Sequence, residues 1–203
     1  MKILQKIIQI AFLAIFILLI IAGKPQVWMG LFLIGIVSSF FLGRVYCGWF
    51  CSINTVLKGV TWFKKRLHIK NRKLPTVLTK PWVRPLALAL FIVIFIFTMV
   101  SGKKLPVLPI LFAIGILLTF FFHEELWHRY LCPYGSILYL PGSKSVHNIY
   151  IDPEKCTNCG ACRRVCPSQA IEKKEKNHEI IKAECLVCTE CITTCKHEAI
   201  SYK

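Results

Sequence analysis

Acidic residues are almost missing from the first 146 positions, where only Glu124 and Glu125 stand against 17 lysines and arginines. Charge of either sign is nearly absent from four stretches in the same region: about Ile7–Ala22, Val27–Leu42, Leu86–Val100 and Val107–Phe122. None of the four contains a histidine, which excludes a b-type haem held by axial ligands on facing spans. Polar surface is scarce as well. The chain has 203 residues and is 55% hydrophobic, with a mean hydropathy of +0.57, too little polar surface to cover four such helices in a soluble protein. The 11 cysteines do not read as a disulfide framework, because the count is odd and such frameworks belong to small secreted domains.

What is present predicts an α-helical membrane protein: four transmembrane helices arranged as two repeated helix pairs, followed by a C-terminal α+β domain. The apolar cores are short of the roughly 20 residues a spanning helix needs. Flanks such as Trp82–Pro85 and Gly43–Tyr46 extend them. Trp28, Trp49, Trp62, Trp82 and Trp127 fall near stretch ends, as interfacial anchors do. The first stretch belongs to an internal repeat and reads as a retained helix rather than a signal peptide.

Ten of the basic residues lie between Arg44 and Arg84, whereas the loops around Lys24-Pro25 and Lys103-Lys104 are short and carry few. The positive-inside rule makes the long basic loop, about 44–84, cytoplasmic. Four spans then put both termini on the cytoplasmic side of a multi-pass inner-membrane protein. Residues 147–203 are nearly balanced, with 9 basic and 8 acidic residues. The net +16 is therefore a membrane-flank charge and not a nucleic-acid footprint. Val56, Val60, Phe63 and Leu67 recur at helical spacing among Lys58, Lys64, Lys65 and Arg66, which predicts an amphipathic helix on the lipid face. The domain division is 1–146, membrane, and 147–203, the C-terminal domain.

The second region carries one cysteine phrase twice. Cys156, Cys159, Cys162 and Cys166 are spaced C-x2-C-x2-C-x3-C and followed by Pro167; Cys185, Cys188, Cys191 and Cys195 repeat the spacing 29 residues later. This is the bacterial run whose fourth cysteine ligates the other cluster. One 4Fe–4S cluster is thus assigned to Cys156, Cys159, Cys162 and Cys195, the other to Cys185, Cys188, Cys191 and Cys166. Structural zinc, the competing reading, uses well-separated C-x2-C pairs and fits two crowded quartets poorly. The segment from about Asn148 to Lys203 resembles the two-cluster bacterial ferredoxins. Lys196 stands where Pro167 follows the first motif, a departure that bears on the local turn and not on the ligation.

Three cysteines remain, in text that repeats at an offset of 81 residues. Tyr46-Cys47-Gly48-Trp49-Phe50-Cys51 aligns with Trp127-His128-Arg129-Tyr130-Leu131-Cys132, Phe40-Phe41 with Phe121-Phe122, and Pro25 with Pro106. The words YCGWFC and RYLCPYG, with the C-terminal motifs, resemble the membrane-bound polyferredoxins of the NapH/NosR/CcoG type, the NapH layout most of all. Ser52 stands where the family's first loop has proline, and His128 where its second loop has a cysteine. The aligned quartet Cys47, Cys51, His128 and Cys132 suits a third iron–sulfur or other redox metal centre at the membrane surface. Free packed thiols with a satisfied interfacial histidine, or a zinc or mononuclear iron site, are the alternatives. His123, Glu124 and Glu125 border the site; His68, His147, His178 and His197 read as surface residues.

The expected function is a membrane-anchored iron–sulfur electron-transfer subunit with no catalytic side chains. It would pass electrons between a cytosolic donor or acceptor and a membrane partner, a quinone or quinol or another redox subunit of a complex. The resemblance also implies an alternative of the CcoG kind, metal-centre maturation or metal-ion reduction. A third reading is a docking subunit whose clusters only hold the fold.

Overall fold

The computed structural model describes residues 2–24, 26–101 and 107–203. Pro25, Pro106 and the Lys103-Lys104 loop, singled out above, lie outside them. Six helices of eleven residues or more dominate: α1 (Lys2–Ile21), α2 (Gln26–Leu42), α3 (Ser52–Arg66), α4 (Val83–Ser101), α5 (Val107–Phe121) and α6 (Pro133–Ser143). Pro85, Pro109 and Pro133 fall in the first turns of α4, α5 and α6, where a proline removes no intrahelical hydrogen bond. Among the described residues α1, 20 residues long, is the one helix long and apolar enough to cross a membrane. It starts five residues before the apolar stretch read from the sequence and so includes Lys2, Gln5 and Lys6. The apolar helices Gln26–Leu42, Val83–Thr98 and Val107–Phe121 are shorter.

The chain divides into two compact units, 1–52 with 138–203, and 53–137. In the first, Phe12 and Phe16 of α1 meet Trp28 of α2 edge-on, at ring-centroid distances of 6.3 and 4.8 Å. Trp28 is buried; it is a packing residue, not an interfacial anchor, because two phenylalanines one turn apart on α1 cover it. A π-helical turn, Tyr46–Phe50, follows α2.

The C-terminal part of this unit has two antiparallel ribbons. β1 (Ile149–Ile151) pairs with β4 (Ile200–Tyr202), and β2 (Ile171–Lys173) with β3 (His178–Ile180). Short helices α7 (Ala161–Val165) and α8 (Glu190–Thr194) complete it. Ile149, Ile151, Ile171, Val187 and Ile200 form its core together with cysteine side chains.

The 29-residue sequence repeat is also a backbone repeat. Left-handed φ values occur at Asn158 and Val187, at Gly160 and Thr189, and at Gln169 and Glu198. Cys166 and Cys195 close the two short helices with nearly equal angles, φ −75°, ψ 115° and φ −75°, ψ 111°. Lys196 in place of proline therefore leaves the turn unchanged.

In the second unit Trp127, 2% exposed, lies against Gly115 of α5 and is likewise a core residue rather than an anchor. Another π-helical turn, Leu126–Leu131, carries it. α3 buries Ile53, Leu57 and Lys64 and leaves Phe63 and Leu67 exposed. Val56 and Val60 are half-buried, so the apolar stripe read from the sequence is the less buried side of the helix and not a fully exposed one. Lys64, expected on the polar face, instead donates to the Thr119 and Phe122 carbonyls at 2.7 and 3.2 Å. These are orphan carbonyls at the C-terminal end of α5, where a cation is favoured.

Candidate metal centres

Three cysteines separated by two residues each can face one point only if the backbone reverses sharply between them. The left-handed residues at 158 and 160, and again at 187 and 189, supply that reversal. The outcome is two cavities. One is lined by Cys156, Cys159, Cys162 and Cys195. The other is lined by Cys166, Cys185, Cys188 and Cys191. Each takes three thiols from one motif and the fourth from the other.

The donors suit a cluster better than a single ion. Thiolates on one tetrahedral zinc would stand about 3.8 Å apart, given a Zn–S bond near 2.3 Å. Among the described residues no three cysteine, histidine or acidic side chains converge closely enough to hold one ion. Soft sulfur donors in fours lining one cavity fit an iron–sulfur group.

The two cavities differ in their surroundings. Cys159 is exposed, whereas Cys185, Cys188 and Cys191 are buried. The Ala161 N–H pulls the Cys159 thiol below its ordinary value. Burial pushes Cys185 up to about 12 and raises Cys191 and Cys166 as well. A metal group entering the second cavity must displace those protons and bring compensating positive charge. The Ala170 N–H donates to Cys166 Sγ at 3.3 Å, the kind of bond that tunes a cluster's potential.

The second motif is also held from outside. Gln5 Nε2 donates to the Gly48 and Cys188 carbonyls at 3.1 and 3.2 Å, and Gln9 Nε2 to Gly48 at 2.8 Å. Trp49 Nε1 donates to the Val187 carbonyl at 3.1 Å. Gly48 lies so close to this loop that a Cβ there would collide with the Leu186 carbonyl oxygen. The turn bearing Cys47 thus rests directly on the loop bearing Cys185 and Cys188.

The remaining quartet falls two and two into the units. Cys47 is buried and Cys51 half-buried in the first unit; Cys132 and His128 are buried in the second. Each pair is built alike. Cys51 and Cys132 end their π-helical turns at φ −71°, ψ 112° and φ −71°, ψ 113°. Arg44 Nη2 reaches Cys47 Sγ at 3.8 Å, and the Gly135 N–H reaches Cys132 Sγ at 3.4 Å. His128 Nε2 lies 3.9 Å from Glu124 Oε2, so the bordering glutamate is a neighbour of the histidine.

Some residues near these sites were not singled out from the sequence. His178 is a correction: read as a surface residue, it is 2% exposed and lines the first cavity, because β3 starts there against β2. Gln5 and Gln9 carried a usable signal, two amides one turn apart in an apolar run. Arg44 carried none beyond its place in a basic loop.

Comparison with known proteins decides the family. The family described as a 4Fe-4S binding domain matches residues 24–70, 83–104 and 105–149, and a second family of that description matches 149–172. The chain belongs to the 4Fe-4S binding-domain family. An uncharacterised protein of Methanocaldococcus jannaschii is 34% identical over 84% of this chain and 68% of its own. The ferredoxin-type protein NapH of Haemophilus influenzae is 28% identical over 78% of this chain and 62% of its own. The methylamine utilization ferredoxin-type protein MauN of Methylorubrum extorquens is 33% identical over 61% of this chain and 47% of its own. The chain thus spans under two thirds of NapH and about half of MauN. No solved structure matches it. These relatives agree with a NapH-type polyferredoxin. The first family match takes in Cys47, Cys51, His128 and Cys132, and the second takes in the first ferredoxin motif.

Proposed function

We propose that the chain is a membrane-anchored iron–sulfur electron-transfer subunit, passing electrons between a soluble redox partner and a membrane donor or acceptor such as a quinone. The observation that carries this is the pair of four-thiol cavities, the second of them packed against the turn that holds Cys47. In this reading Cys156, Cys159, Cys162 and Cys195 hold one 4Fe–4S cluster, and Cys166, Cys185, Cys188 and Cys191 the other. Cys47, Cys51, His128 and Cys132 are the ligands of a third centre at the membrane surface. Such clusters supply one-electron redox chemistry.

The chain's own contribution is placement and environment. Leu186 and Val187 exclude water from the second site, and the Ala170 and Ala161 N–H groups temper the charge of Cys166 and Cys159. The functional division is 1–146, a membrane part in which α1, α2, α4 and α5 are the four spans, and 147–203. The basic loop at 44–84 puts both termini on the cytoplasmic side.

The exposed first site is the side for the soluble partner. Lys155 lines its cavity, Arg164 acts on Cys159, and Arg163 and Lys173 act on His178. That face suits an acidic carrier, so the rate of electron exchange with one should fall steeply as salt rises.

Iron and sulfide analysis of an anaerobic preparation tests the central reading. About eight iron atoms per chain are expected from two 4Fe–4S clusters, and up to four more from a third. An iron-free preparation would sink the proposal. An iron content unchanged in Cys47→Ser would remove the third centre alone.

A further inference from the structure

Arg44 is wholly buried, at 0% exposure. Its stem runs past Gly142, where a Cβ would come 2.8 Å from Arg44 Cγ; the glycine keeps the channel open. Nη1 donates to the Ala183 carbonyl at 3.0 Å and lies 3.7 Å from Glu184 Oε2. Nη2 points at Cys47 Sγ, 3.8 Å away. Nε has no hydrogen-bond partner. The guanidinium therefore touches the membrane-surface cysteine loop and the residue preceding Cys185 at once, and its charge acts on Cys185.

A buried ion pair is a weak stabiliser, because desolvation offsets the attraction and an apolar replacement often does as well. Here the pair also leaves one donor unsatisfied. Its placement makes more sense electrically: a fixed positive charge in a low-dielectric setting, held at the Ala183 carbonyl and the Glu184 carboxylate just before Cys185, favours an added electron at that quartet.

Resting on the proposed function, we infer that Arg44 is a positioning residue that raises the potential of the centre held by Cys166, Cys185, Cys188 and Cys191, making that centre the one that exchanges electrons with the Cys47 loop. With clusters bound, Cys156, Cys159, Cys162 and Cys195 would hold the donor and Cys166, Cys185, Cys188 and Cys191 the acceptor of a one-electron transfer, the first oxidised by one and the second reduced by one with no bond made or broken. The guanidinium would meet the added negative charge, with Glu184 as its counter-charge.

The experiment is a redox titration of the anaerobic full chain, followed by electron paramagnetic resonance. The second centre is identified as the signal lost in Cys188→Ser. Arg44→Gln should lower its potential, changing its reduced-to-oxidised ratio at fixed potential about tenfold, which is 59 mV for one electron. Glu184→Gln, which leaves the guanidinium uncompensated, should raise it. Arg44→Lys should stay nearer the parent, since the charge is kept. Opposite shifts at the two partners are a signature that loosened packing does not produce.

Shifts in the same direction, or none, with iron content unchanged, would overturn the inference and leave the electron-transfer reading standing. If Arg44→Gln loses its iron, Glu184→Gln decides alone: an upward shift supports the inference, and any other result removes it. Absence of iron from the parent chain would instead strike the functional proposal.

Discussion

The loops 156–162 and 185–191 have the same cysteine spacing and the same two left-handed positions, yet they are stabilised in different ways. The first places Asn158 and Gly160 at φ 55° and 71°, residues that tolerate that region. The second places Val187 and Thr189 there, at φ 52° and 58°, where β-branched side chains are outliers. Such residues persist only when their surroundings over-determine them. The surroundings of the second loop do so: Gln5 and Trp49 hold its carbonyls, Thr189 Oγ1 donates to Gln5 Oε1 at 3.4 Å, and Lys2 pairs with Glu190 at 3.3 Å. The first loop is folded by its own residues, the second by α1 and the turn at Tyr46–Phe50. The first loop relies on residue types that accept these angles, the second on side chains that hold it at them.

The most disruptive way to break the comparison is Cys166→Ser. Cys166 lies in the first motif but lines the second motif's cavity. The variant should lose or convert the buried centre and spare the exposed one, with iron falling by up to about four atoms per chain. Loss of the exposed centre instead would overturn the crossed assignment. Gly48→Ala comes next. Its methyl group would press on the Leu186 carbonyl, and overpacking of this kind costs about 1–3 kcal/mol or more. The unfolding midpoint should drop, and the buried centre should be shed first on mild chelation. Equal loss from both sites would mean that the clamp does not distinguish them.

Much of this was legible before any coordinates. The 29- and 81-residue repeats reappear as repeated backbone angles at Cys166 and Cys195 and at Cys51 and Cys132, because a cysteine spacing that must enclose one object admits few backbones. The two cavities are lined by the quartets that the spacing groups. Buried polar residues were not legible. Arg44, Lys64 and His178 belong to residue types that composition assigns to the surface, and each is buried by partners distant in sequence: Glu184 for Arg44, the end of α5 for Lys64, the first cavity for His178. Trp28 and Trp127 misled for the same reason, since proximity to a span end does not say whether an aromatic faces lipid or a neighbouring helix.

The subtlest prediction exchanges the residues at the second left-handed position of each loop. Gly160→Thr adds a β-branched side chain at φ 71° with space for it, since beyond its own chain neighbours its Cβ would come no nearer than 3.8 Å to the His178 ring. Strain is then the main term, and the loss should be about 1–2 kcal/mol. Thr189→Gly removes a similar strain, but it adds about 0.5–1 kcal/mol of chain entropy and gives up the Gln5 contact, worth about 1 kcal/mol. Its net effect should therefore lie near zero in chemical denaturation. A clear gain from Thr189→Gly would show that the clamp does not offset the strain, and the contrast between the two loops would then reduce to their difference in burial.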